Sequence, residues 1–104
     1  MAVSIDKQED RWLIQLDGEG GVAHASELKN LLREGLAVAH NLELDLGALE
    51  EADVSLLQLL LALEKVPRPA RGRVTAVSDA AAAAARDAGF DRFPCLAGGE
   101  EDHG

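Results

Sequence analysis

The chain is 104 residues long, enough for one domain with one hydrophobic core and short for a deep substrate cavity besides. Hydrophobic residues make up 47% of it and the polar remainder is well mixed, so it reads as globular and not as disordered. Ten Lys and Arg against nineteen Asp and Glu give a net charge of -9, a field that repels phosphate backbones and anionic headgroups and argues against nucleic acid or a membrane surface as partner.

Cys95, the single cysteine, rules out an internal disulfide. The stretch from Met1 to Trp12 is charged and has no apolar run of the secretory kind. No segment approaches the roughly 20 apolar residues of a membrane span, so the expected compartment is the cytoplasm, without membrane insertion.

Val3 to Gln8 and Arg11 to Asp17, separated by Glu9-Asp10, read as a β-hairpin; the second segment alternates Trp12, Ile14 and Leu16 with Leu13, Gln15 and Asp17. The run Gly18-Glu19-Gly20-Gly21 then breaks regular structure. Leu28, Leu31, Leu32 and Leu36 recur at three- and four-residue spacing and predict an amphipathic helix from about Ala23 to about Ala39, weakened near its end by Gly35. Asn41 to Leu46 alternates again and predicts a strand with one apolar face. The run Leu56 to Leu63 is too long for an average strand and lacks β-branched residues, which favours a helix stopped at Pro67. Arg73 to Val77 reads as a short strand, and Asp79 as the cap of a helix over Ala80 to Ala85 that ends at Gly89. Phe93 to Leu96 suits a last short strand, although Pro94 argues for an edge or a loop. Residues 97–104 read as a flexible acidic tail. The order predicts one α/β domain over residues 1–96, a mixed four- to five-stranded sheet flanked by helices and built with right-handed crossovers.

The motif Gly18-x-Gly20-x-x-Ala23, with Asp45 on the next strand, mimics a dinucleotide fingerprint. The strand before it belongs to a hairpin and the chain is too short for two nucleotide-binding halves, so a plain loop and turn is preferred, with nucleotide binding as the competing reading. Glu50, Glu51 and Asp53 form an acidic knot, but neither His24 nor His40 has metal-ligand spacing to a second His or Cys, and acidic residues ahead of a helix are explained by its dipole. Ser55 has no evident His partner and Cys95 lies near the chain end, so no nucleophilic triad is supported. No catalytic residue, metal or cofactor is expected, and the chain is read as non-enzymatic.

The leucine helix is more informative. Leu56, Leu57, Leu59, Leu60, Leu61 and Leu63 cover an arc of roughly 200°, leaving Gln58, Ala62 and Lys65 on the other side. That arc exceeds what one sheet face needs, so the excess meets a neighbouring helix, another subunit or a partner. Ser55 has two readings: Ser55-Leu56-Leu57-Gln58 fits a capping box, or Asp53 caps the helix and Ser55 stands in its first turn. A phosphate there would be favoured by the helix dipole and opposed by Glu50, Glu51 and Asp53.

Several stretches now fall together: Leu16-Asp17-Gly18-Glu19 leading to Glu27-Leu28; Leu42-Glu43-Leu44-Asp45-Leu46; Ala52-Asp53-Val54-Ser55 with Leu57-Gln58-Leu59-Leu60-Leu61; and Val77-Ser78 ahead of Ala88-Gly89-Phe90. From about Trp12 to Phe90 the chain resembles the STAS domains, named for sulfate transporters and anti-sigma factor antagonists. The third stretch is the most specific, resembling the family's signature loop of Asp, a hydroxyl residue, a small residue and Gly before a leucine-rich helix. The resemblance implies a mixed sheet flanked by helices, no enzymatic activity, and docking to a kinase or anti-sigma partner through that loop and helix, with release on phosphorylation of the hydroxyl residue. Here Val54 stands at the usual phosphoacceptor position, Ser55 one place later, and Leu56 replaces the Gly. Either Ser55 has taken over the role or the domain docks constitutively. Short stand-alone relatives also serve beside chemotaxis or two-component proteins and as small subunits of lipid-transporting ABC complexes, where the partner is a transporter ATPase. The residues expected to meet a partner are Glu50, Glu51, Asp53, Val54, Ser55 and Gln58.

Overall fold

Glu9 and Asp10 form the two-residue turn of a hairpin, closed by the Gln8 N–H donating to the Arg11 carbonyl at 2.9 Å. In the computed structural model, which describes residues 2–20, 22–66 and 70–96, this hairpin joins β1 (Ala2–Lys7) to β2 (Arg11–Gly20). Then follow α1 (Val22–Val38), β3 (Asn41–Ala52), α2 (Val54–Leu63), β4 (Arg71–Val77) and α3 (Asp79–Asp87). The sheet order is β1-β2-β3-β4, antiparallel between β1 and β2 and parallel across β2, β3 and β4. The mixed sheet of four to five strands expected from the sequence is present, with four strands among the described residues.

Both crossovers step in the same direction across the sheet, so right-handed connections put α1 and α2 on one face. Strand alternation aims Trp12, Ile14 and Leu16 of β2, Leu42, Leu44 and Leu46 of β3 and Val74 of β4 at that face, where all are buried. Leu28 and Leu32 of α1, Leu56, Leu57, Leu60 and Leu63 of α2, and Ala81 and Ala85 of α3 complete a single core. Among the described residues no helix covers the opposite sheet face. There Glu43 accepts from Arg11 at 3.5 Å and Arg73 at 3.1 Å, tying β2, β3 and β4 together at the surface.

Several expectations are corrected. β2 runs on to Gly20 and β3 to Ala52, because Gly18 pairs with Leu49 beyond one register shift and Gly20 with Ala52 beyond a second. Gly18 and Gly20 are thus strand residues, with Gly18 at φ +78 taking up the irregularity, and not a phosphate-cradling turn. Gly21 and the side chains of residues 22–25, including Ala23 and His24, lie outside the described part. Glu50 and Glu51, expected ahead of the leucine helix, stand there as the end of β3.

Helix ends differ too. Ser78, not Asp79, caps α3 by accepting the Ala81 N–H at 3.1 Å, which leaves Asp79 in the first turn, favourable to the dipole. Gly89 at φ +92 closes α3 as expected: its N–H bonds to Arg86 and that of Phe90 to Ala85, the paired bonds of a Schellman motif. α2 ends at Leu63 with Glu64 as its cap, while Pro67, the expected stop, is outside the described residues, as are 97–104. The last expected strand reduces to one bridge, Val74 to Leu96. Pro94 has no N–H for a ladder, and Cys95 at φ +64 turns the chain away from extended geometry.

Glu64 fastens this C-terminal segment. Its Oε2 accepts the Cys95 N–H at 2.7 Å and its Oε1 lies 3.8 Å from Arg92, while the Cys95 thiol meets the Leu60 carbonyl at 3.1 Å.

Candidate functional site

The β3–α2 junction is anchored from below and exposed above. Leu49 at the end of β3 and Leu56 and Leu57 in the first turns of α2 are buried, which fixes the backbone between them. Glu50, Glu51 and Gln58 are exposed, Asp53 and Ser55 are half-buried, and Val54 leaves 53% of its surface in solvent. Val54 is one of four large hydrophobic residues left exposed among the described residues, with Val3, Ile5 and Val38, and the one that stands at this junction, next in sequence to Asp53. The pairing of Gly20 with Ala52 sets the end of β2 next to this junction, at the C-terminal edge of the parallel strands.

Asp53 is the cap of α2, which decides between the two readings of Ser55. Its Oδ1 accepts the Ser55 N–H at 2.8 Å and the Ser55 hydroxyl at 2.9 Å. Ser55 is not a cap and makes no capping box with Gln58. Its hydroxyl is already committed to a carboxylate, so a phosphate at that oxygen would displace the bond and face a negative charge at contact distance.

These bonds hold the Asp53 carboxyl below its ordinary pKa, the backbone N–H of Ser55 first and its hydroxyl second, against a small opposing effect of burial. A carboxylate stabilised on folding contributes fully above its ordinary pKa, near 3.8, and the contribution disappears as pH falls through the lower folded value. Asp53→Asn is therefore expected to lower the Tm at neutral pH and to flatten its decline on the acid side. Thermal melts of both proteins across that range check this; parallel curves would remove Asp53 from the acid response.

Among the described residues no group of three or more His, Cys, Asp or Glu could hold a metal ion, and His40 is exposed ahead of β3, at the opposite end of that strand from the junction. A depression of about 350 Å³ lies on the bare sheet face among Ser4, Asp6, Gln15, Asp45 and Thr75, away from the junction. A groove of about 280 Å³ runs between α1 and α2, lined by Leu32, Leu36, Leu59, Ala62, Leu63 and Val66 with Lys29 and Arg33 beside it. The apolar excess on the leucine helix signalled such a groove, but the sequence did not show which α1 residues border it.

The fold is a small single-sheet α/β domain. The chain matches the family model described as Mlab, STAS domain over residues 3–97, and it belongs to the STAS family. No curated protein matches it in a sequence search. Among solved structures it is similar to the anti-sigma factor antagonist SpoIIAA in its unphosphorylated form, with TM-score 0.71 and 17% identity over 98% of this chain and 93% of that one. It is also similar to an anti-sigma factor antagonist from Mycobacterium paratuberculosis, with TM-score 0.68 and 21% identity over 97% and 92% of the two chains. At these identities the likeness is one of fold. Family membership supports a regulatory, protein-binding role. No described helix is long and apolar enough to cross a membrane.

Proposed function

We propose that this chain is a non-enzymatic docking domain of the anti-sigma factor antagonist type, acting in the cytoplasm on a signalling protein such as an anti-sigma factor or kinase. Glu50, Glu51, Asp53, Val54, Ser55 and Gln58 form its docking surface. The observation that carries the proposal is Val54, half exposed at the start of α2 and close in sequence to Glu50, Glu51 and Asp53, a composition suited to an interface with an apolar centre and a polar edge. The Ser55–Asp53 hydrogen bond supports constitutive docking, with Ser55 bracing the junction and not acting as a phosphoacceptor. A second reading, an accessory subunit on a transporter ATPase, is favoured by the Mlab description of the matching family.

The test is capture of the partner from native lysate on wild type and on Gln58→Arg, followed by mass spectrometry. Gln58 is exposed, so Arg is tolerated by the fold while it obstructs the surface. A partner held by wild type and lost on the folded Gln58→Arg supports docking here, and its identity as a signalling protein or an ATPase chooses between the readings. Equal retention by both proteins moves the surface elsewhere.

A further inference from the structure

We infer that the groove between α1 and α2 is a second docking element, built to seat an amphipathic helix with acidic flanks supplied by the partner; it deepens the docking reading above and rests on it. The floor is apolar: Leu32, Leu36, Leu59 and Leu63 line it together with Val66, and the small, exposed Ala62 leaves room for a side chain from outside. The groove measures about 280 Å³ and is open to solvent. α2 exposes Gln58 and Ala62 one turn apart, so the groove continues the docking surface down the same helix.

Charge selects the occupant. In a chain of net charge -9, the α1 side of this groove carries two cations one turn apart, Lys29 and Arg33, both exposed. Among the described residues neither forms an ion pair, and both border the groove. A basic rim beside an apolar floor fits a helix presenting an apolar stripe at i, i+3, i+4 and i+7 with Asp or Glu on one flank.

The experiment uses a phage-displayed library of helical peptides of about 14 residues, roughly 21 Å long, selected on the whole chain. Enriched peptides are expected to carry the apolar stripe and an acidic flank. By fluorescence anisotropy they are expected to bind Ala62→Arg at least about tenfold more weakly than wild type. Lys29→Glu/Arg33→Glu, altered only at exposed positions, is expected to prefer versions of the same peptides with Lys in place of the acids. Glu50→Lys/Glu51→Lys is expected to bind them as wild type does, so the groove and the junction can fail separately. The inference is overturned if nothing is enriched, if the enriched peptides lack an acidic flank, or if they bind both groove variants as they bind wild type. Self-association of the chain that Ala62→Arg abolishes would also overturn it, by assigning the groove to a second copy.

Discussion

Leu57→Ala is expected to destabilise the domain by about 2–5 kcal/mol, read from urea denaturation as a lower midpoint with an unchanged slope. Leu57 is fully buried, in a core where Leu44 and Leu46 of β3 and Leu60 of α2 are equally inaccessible. Removing three carbons there leaves a void that close-packed neighbours fill only in part. Domains of this kind have about 5–15 kcal/mol of total stability, so one such change takes a large share of it. Leu59→Ala, two residues on and partly exposed at the groove, is expected to cost less than half as much. The pair tests how α2 is rotated on the sheet: a larger loss at Leu59 than at Leu57 would mean that the helix presents a different face to the core.

The rotation of α2 is where the sequence stopped being informative. Six leucines at near-continuous spacing give an apolar arc too broad to name its inward side, and the structure resolves it as Leu56, Leu57, Leu60 and Leu63 inward with Leu59 and Leu61 on the flanks. Alternation in β2 and β3 was legible because period two has a single solution when one face is buried. The extensions of both strands were not legible. Gly18 to Gly20 look like a turn in isolation and become strand only because β3 supplies parallel partners across two irregularities. The same long-range pairing carries β3 past Leu46 and makes Glu50 and Glu51, ahead of the helix, part of a strand. The cap of α2 was ambiguous for a local reason, since Asp53 and Ser55 both carry oxygens suited to it and only the backbone geometry at Asp53 decides. Glu64, reaching across 31 residues to the Cys95 N–H, left no sequence signal at all.

Val54→Arg is expected to weaken binding to the captured partner by about 30-fold or more, as loss of a central hot spot of about 2 kcal/mol would. The structure gives Val54 no evident task in holding the fold: Asp53 caps the helix, Leu56 and Leu57 anchor it, and the Val54 side chain is 53% exposed. An arginine at the first helical position opposes the helix dipole by about 0.3–1 kcal/mol, and Glu50 and Glu51 nearby offset part of that, so the Tm is expected to move little. Binding suffers twice, because the apolar centre is lost and a cation is placed where a partner drawn to the carboxylates would bring its own positive charge. Surface plasmon resonance separates these contributions by rate. Val54→Ala, which trims the centre alone, is expected to raise the dissociation rate and leave association near its wild-type value. Glu50→Lys/Glu51→Lys, which alters the rim alone, is expected to slow association and reduce its dependence on salt. If Val54→Arg, shown to be folded by circular dichroism, binds within about threefold of wild type, the exposed valine is an ordinary surface residue and the apolar centre lies elsewhere.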